Sequence, residues 1–174
     1  MSTHRTVICA LALVLNAGIA CAEAPNLGKP LDPADIAGWD LNVFPDGTGL
    51  PPGSATAAQG APIYAAKCAM CHGENGKGGP NAALVGGGPL DRIDATKTIA
   101  NYWPYATTVF DFTRRAMPWQ APRTLSNDET YALTAYMLAL NKLIGENDVM
   151  NAETLPKVKM PNRDNFIIRF PDKI

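Results

Sequence analysis

Cys68-Ala69-Met70-Cys71-His72 is the stretch that decides how this chain is read. Two thiols three positions apart, followed at once by an imidazole, form the attachment pattern for c-type haem. The spacing puts both sulfurs on about one turn of backbone, where each can add to a vinyl group of the porphyrin. His72 then follows as the proximal iron ligand. The competing readings are a redox-active Cys-x-x-Cys and one half of a zinc site. Zinc takes about four protein ligands in structural sites, so the supply of Cys and His elsewhere settles that alternative.

Residues 1–22 read as a secretory signal. His4 and Arg5 give a basic start, Val7 to Ile19 an apolar core, and Ala20-Cys21-Ala22 a small-residue cleavage site that leaves Glu23 first. Cleavage after Ala24 is the alternative, and it places Pro25 just beyond the scissile bond. A lipid anchor on Cys21 is another, against which stands Gly18 where a large aliphatic is usual. The apolar run is too short to span a bilayer. Export removes Cys9, Cys21 and His4, leaving Cys68 and Cys71 as the remaining cysteines and His72 as the remaining histidine. One chain then has no ligands for a Cys/His zinc site and no second histidine for the iron, and one haem is its limit. A periplasmic location, where thiol oxidation is permitted, agrees with covalent haem attachment.

The 174 residues carry 15 Lys and Arg against 16 Asp and Glu, a net charge of −1. Such a balance, with no basic stripe interleaved with aromatics, speaks against a nucleic-acid partner. After the signal no apolar segment is long enough to cross a membrane. About 150 residues remain, enough for one domain with additions.

Residues 23–55 are rich in Pro, Gly and Asp, with turns marked at Pro45-Asp46-Gly47 and Pro51-Pro52-Gly53. Trp39, Leu41, Val43 and Phe44 break the polarity and suit an ordered arm anchored on a body elsewhere. Pro33-Ala34-Asp35-Ile36 suits one short helical turn. Thr56 to Lys67 favours helix, with Pro62 placed near its first turn, and this helix delivers the haem motif at its end. Gly73, Gly76, Gly78 and Gly79 then interrupt regular structure, and a loop runs to Gly86-Gly87-Gly88-Pro89. Pro104 divides a short helix expected near 96–102 from a second near 107–116, in which Val109, Phe112, Arg115 and Ala116 recur at helical spacing. Ser126-Asn127-Asp128-Glu129 is a capping box. The helix it opens runs through Asn141, with Leu133, Tyr136, Met137 and Leu140 on one face. The tail from Glu146 to Ile174 shows no helical period.

A haem held by one histidine needs a sixth ligand or an open position. Thioether is the soft partner found in electron carriers, where it raises the reduction potential. Met70 lies inside the attachment motif, Met137 on the apolar helix face, and Met150 in a polar stretch with no turn to hold it. Met117 and Met160 both precede proline. Met117-Pro118 falls where the chain leaves one helix and returns in the next, so Met117 leads; Met160, a lysine or an open site remain as alternatives. His72 needs a fixed acceptor for its other ring nitrogen, and a carbonyl in a proline-stiffened loop suits, with Pro80 and Pro89 the candidates. Trp103, Tyr105, Arg114 and Arg115 are candidate donors to the haem propionates, Trp103 foremost.

The haem helix, the Met-Pro loop and the last helix resemble class I cytochrome c over residues 56–145. Longer strings resemble SoxD, the cytochrome subunit of sulfur dehydrogenase, and the related cytochromes of sulfite dehydrogenases. They are Trp39-Asp40, Pro45-Asp46-Gly47-Thr48-Gly49-Leu50-Pro51-Pro52-Gly53, Tyr102-Trp103-Pro104-Tyr105-Ala106-Thr107-Thr108, Arg114-Arg115-Ala116-Met117-Pro118 and Leu155-Pro156-Lys157-Val158-Lys159-Met160-Pro161-Asn162-Arg163. The resemblance implies an all-α cytochrome fold with extended arms over residues 23–55 and 146–174. It also implies Met117 as distal ligand and a molybdenum-cofactor subunit of the sulfite oxidase type as electron donor. Some SoxD proteins carry two haem domains, whereas this chain has one attachment motif, which leaves sulfite and protein-bound sulfur both open as the partner's substrate.

The function expected is single-electron transfer from that catalytic subunit to a downstream c-type cytochrome, with the arms wrapping the partner. The chain offers no Ser-His-Asp set, paired catalytic carboxylates or phosphate loop, so it is expected to be a carrier and not an enzyme. A peroxidase-like haem enzyme and a haem-based sensor are the alternatives, and both require an iron that Met117 leaves open.

Overall fold

The computed structural model describes residues 27–166; the signal-peptide reading, the Cys21 alternative and the last residues of the tail lie outside the described residues. The chain divides into two units at Trp39/Asp40. In the first, helix α1 (Pro33–Ala37) forms where the short turn was expected. Asp32 caps it by accepting from the Ala34 N–H at 2.9 Å. The unit exposes its large apolar side chains: Leu27 is 86 % exposed, Leu31 71 % and Trp39 82 %.

The second unit runs β1 (Ser54–Ala55), α2 (Ala57–Lys67), α3 (Ala69–His72), α4 (Ala106–Ala116), α5 (Asn127–Leu140) and β2 (Met150–Asn151), with 3-10 turns at Leu155–Lys157 and Arg163–Asn165. Helix α2 starts at a capping box of its own. Thr56 accepts from the Gln59 N–H, and Gln59 accepts from the Thr56 N–H at 2.8 Å. Pro62 lies inside α2, past the first turn where it was expected, at an exposed position. Helix α5 opens at the expected box, with Ser126 and Glu129 exchanging bonds of 3.1 and 2.8 Å.

Helix α5 is buried on more than the one face its apolar spacing marks. Thr130 and Thr134 are buried as fully as Leu133 and Leu138. Their hydroxyls donate to the carbonyls of Ser126 and Thr130 at 2.8 and 2.7 Å. A polar side chain satisfied by its own helix can face the core without a desolvation penalty. Helix α2 crosses α5 at Gly60, where a Cβ would stand 2.8 Å from that of Tyr136 and run into the Ala132 carbonyl. That close approach lets Tyr64 and Tyr136 meet with ring centroids 5.1 Å apart. On the other side of α5, Tyr131 packs on Phe110 of α4 at 4.5 Å.

Helix α4 corrects the spacing read from sequence. Its buried residues are Ala106, Thr107, Val109, Phe110 and Thr113, while Phe112 is 47 % exposed. No helix forms at 96–102, contrary to expectation. The Asn101 side chain takes the backbone groups instead, accepting from the Thr98 N–H at 2.7 Å and donating to the Gly88 and Thr96 carbonyls at 3.0 and 2.9 Å. Asparagine competes with helix in this way because its short amide reaches nearby backbone.

From Asp40 onward the flanking segments pack on the helical body. β1 pairs antiparallel with β2, Ala55 opposite Met150. Met150 is therefore 5 % exposed, not the unheld methionine its polar neighbours suggested. Leu155 and Met160 are fully buried in the main core, with Val43, Leu50 and Val158 packed against it. Among the described residues no helix is long and apolar enough to cross a membrane.

Candidate cofactor site

Helix α2 ends at Cys68, α3 begins immediately after it, and the Cys-x-x-Cys-His motif occupies this junction. Gly73 closes the turn at φ 81°, a left-handed conformation that a side chain would strain, and a Cβ there would collide with the Lys77 carbonyl. The Tyr64 hydroxyl donates to the Gly73 carbonyl at 2.9 Å, fixing the turn to α2. Burial pushes the Tyr64 hydroxyl up to about 12, so it stays a donor.

Both thiols and His72 line a cavity of about 460 Å³, within the range of about 300–1,000 Å³ usual for small-molecule and cofactor sites. Its walls include Leu84, Ile99, Val109, Phe112, Leu133 and Met137, with Met117, Pro118 and Trp119 also on the lining. The His72 Nδ1 lies 2.8 Å from the Ala82 carbonyl oxygen. A carbonyl only accepts, so Nδ1 carries the proton and Nε2 keeps its lone pair as a ligand for a metal. The acceptor is thus the Ala82 carbonyl, and not that of Pro80 or Pro89 as expected. The Asn81 N–H donates to the Cys71 carbonyl at 2.9 Å and folds the loop back beneath the motif.

Met117 is the C-terminal cap of α4, its N–H bonded to the Thr113 carbonyl at 3.1 Å. It lines the same cavity as His72. Of the rival methionines, Met160 is fully buried in the core and Met70 is 79 % exposed. Met137 also lines the cavity, from α5. Trp103 is on the lining, with its ring edge-on to Phe112 at 5.6 Å.

Tyr105, Arg114 and Arg115 are not brought to this cavity, contrary to their candidacy as propionate donors. Arg115 is committed to Asp111 at 2.9 Å, the Leu41 carbonyl at 3.1 Å and Asn42 at 3.2 Å, and so ties the N-terminal strap to α4. Tyr105 faces a separate groove, with the Arg163 guanidinium 4.5 Å over its ring. The lining instead includes Lys97, which side-chain type alone did not single out.

The donor set fits c-type haem: two thiols on one turn, an imidazole with a fixed tautomer, and a thioether, around mostly apolar walls. It fits a redox-active Cys-x-x-Cys poorly. Such motifs work by lowering a thiol pKa, whereas burial pushes the Cys68 thiol up to about 11, with Lys67 lowering it less. A zinc site has no support either, since among the described residues no group of three or more Cys, His, Asp or Glu could hold a metal ion.

Residues 57–141 match the cytochrome c family. A solved structure, the sulfane dehydrogenase SoxCD from Paracoccus pantotrophus, contains a chain similar to this one at 40 % identity and a TM-score of 0.78, covering 86 % of this chain and 73 % of that one. No curated protein matches the sequence. The similarity to the SoxCD chain therefore extends well beyond the family domain, into the flanking segments that pack on the body. With the haem-binding donor set at its centre, the chain belongs to the cytochrome c family as a SoxD-like c-type cytochrome, with covalent haem c and a role in electron transfer.

Proposed function

We propose that this chain is a monohaem relay exported to the periplasm. It takes electrons one at a time from a molybdenum-cofactor catalytic subunit of the sulfite oxidase type and passes them to a downstream c-type cytochrome. The catalytic subunit oxidises sulfite or a protein-bound sulfur. In this reading Cys68 and Cys71 hold one haem covalently, and His72 Nε2 and the Met117 sulfur ligate its iron. The haem supplies a one-electron iron couple. The observation that carries the reading is that His72, Met117 and both thiols line one apolar cavity.

Each side chain has a defined task. Ala82 keeps the His72 proton on Nδ1, which raises the donor strength of the ligating nitrogen. The soft thioether of Met117 favours ferrous iron and raises the potential. Leu84, Ile99, Val109 and Leu133 exclude water, so a change of charge at the site reorganises little solvent. With His72 and Met117 both holding the iron, the chain would leave no open coordination site of the kind a peroxidase or sensor needs.

The partner assignment rests on the likeness to the SoxCD chain. Residues 27–39, which expose Leu27, Leu31 and Trp39, are the segment we assign to the catalytic subunit. The test is co-purification of the native protein, with molybdenum analysis and assays with sulfite and thiosulfate. Stoichiometric molybdenum and substrate-dependent reduction of the haem support the relay. A haem protein that purifies without molybdenum and stays oxidised with either substrate refutes the partner. Loss of co-purification on deleting 27–39, with the haem spectrum unchanged, is the result expected for the docking segment.

A further inference from the structure

The cavity lining carries side-chain charge of one sign. Lys67 and Lys97 line it, and no Asp or Glu does. Lys67 is already matched, 2.6 Å from Glu129. Lys97 makes no ion pair among the described residues; its Nζ stands 5.6 Å from the centroid of the Tyr102 ring. Six residues on, Trp103 lines the same cavity, and its indole N–H has no hydrogen-bond acceptor among the described residues.

The loop that presents these two donors is well tied. Asn101 bonds to Thr98, Thr96 and Gly88, the Tyr102 N–H reaches the Thr98 carbonyl at 3.2 Å, and the Ile99 N–H reaches Leu84 at 3.3 Å. Leu84 is two residues beyond Ala82, the acceptor for His72. An ammonium and an indole N–H, both lacking acceptors and both held on one fixed loop, define a place for an anion. The anionic groups of haem are its two propionates.

We propose that Lys97 is the charged contact of a haem propionate, with the Trp103 N–H as the neutral donor beside it. The inference rests on the haem reading above and assigns to this loop the part that Arg115 and Tyr105 do not play. Its consequence is electrostatic. A cation at the propionate offsets negative charge near the iron and so favours the ferrous state. Lys97 is exposed, so water screens the interaction and the effect is moderate.

The test is a charge series in the holoprotein: Lys97→Arg, Lys97→Gln and Lys97→Glu, with Lys157→Gln as control. Lys157 lines the separate groove beside Pro45 and Asp46. Potentials are read by spectroelectrochemistry, and the propionate methylene resonances by NMR of the ferric protein. Lys97→Gln is expected to lower the reduced-to-oxidised ratio at fixed ambient potential at least threefold, about 28 mV at 59 mV per tenfold for one electron. Lys97→Glu goes further in the same direction, Lys97→Arg stays near wild type, and the propionate resonances move in the Gln and Glu variants alone. A change below threefold, an equal change in Lys157→Gln, or unmoved propionate resonances overturns the assignment. Failure of the unmodified chain to attach haem at Cys68 and Cys71 would instead sink the haem reading itself.

Discussion

The crossing of α2 over α5 gives the most demanding test of the packing that positions the haem motif. A Cβ added at Gly60 would lie 2.6 Å from the Ala132 carbonyl carbon and 2.8 Å from the Tyr136 Cβ. Ordinary contacts begin near 3.4 Å, and the Ala132 carbonyl oxygen stands closer still than its carbon, so the helices must separate by at least about 0.8 Å. Ala132 offers only backbone there, which has no rotamer to give way. Overpacking of this kind costs about 1–3 kcal/mol and occasionally more. Against it, alanine is about 1 kcal/mol the better helix former. Because the clash is with backbone, the upper part of the cost applies, and Gly60→Ala is expected to lose about 1–2 kcal/mol net. At about 2–4 °C per kcal/mol, Tm falls by about 2–8 °C.

The assay is thermal unfolding of the ferric holoprotein by far-UV circular dichroism, with urea unfolding alongside. Ala66→Gly, at an exposed site on the same helix, isolates the propensity effect and should lose about 1 kcal/mol. If Gly60→Ala proved as stable as wild type or more so, the crossing would be looser than drawn. The account of how α2 carries Cys68 to its place would then fail.

Met117→Ala is expected to open the sixth position, so that the reduced protein binds carbon monoxide rapidly while wild type and Met160→Leu do not; rapid binding by wild type would refute Met117 as ligand. Arg115→Ala removes the bonds to Asp111, Leu41 and Asn42 and should lower stability in urea by about 1–3 kcal/mol with the haem spectrum and potential unchanged, whereas a shifted potential would return Arg115 to the haem site. Burial raises the hydroxyls of Tyr64 and Tyr131 from 10.0 to about 12. Between those values the folded chain holds protons that the unfolded chain has released, so stability is fully present below about pH 10 and is lost as pH rises toward 12. Urea unfolding across that range should show the fall, reduced in Tyr131→Phe; a flat profile would contradict the buried donors.

Much of this was legible in the sequence because local rules and tertiary structure agree. The Cys-x-x-Cys-His motif, the capping box at Ser126 and Glu129 and the short turn after Asp32 all depend on neighbours within a few residues. The place of Met117 on the cavity wall was legible through its position between two helices. The misses share a cause. Ala82 acts through a carbonyl, which every residue has, so no side-chain pattern marks it. The helix expected at 96–102 loses to Asn101, whose partners at Gly88 and Thr98 depend on how the loop folds. Arg115 is drawn away by Asp111 on its own helix and by a strap more than seventy positions earlier. Phe112 recurs at helical spacing, yet it lines the cavity and is not buried in the core.

Electron transfer favours a site whose ligands keep their geometry when the charge on the metal changes, and the structure traces how His72 is held. Its ring is aimed by the Ala82 carbonyl, which belongs to the irregular loop after the motif and has no helix of its own to fix it. Two residues on, the loop is gripped by Asn141 at the end of α5. One side-chain amide donates to the Leu84 carbonyl at 3.1 Å and to Met137 at 2.9 Å, and accepts from the Gly86 N–H at 3.2 Å. The Leu84 N–H returns to Gly76, closing the loop on the turn below the haem motif. The proximal imidazole is therefore set from two sides, by α3, which bears it, and by α5, which crosses the preceding helix α2 at Gly60. A loop bonded in this way can be glycine-rich, and pass close to a flat cofactor, without being free to move. The glycines supply the approach and Asn141 supplies the rigidity.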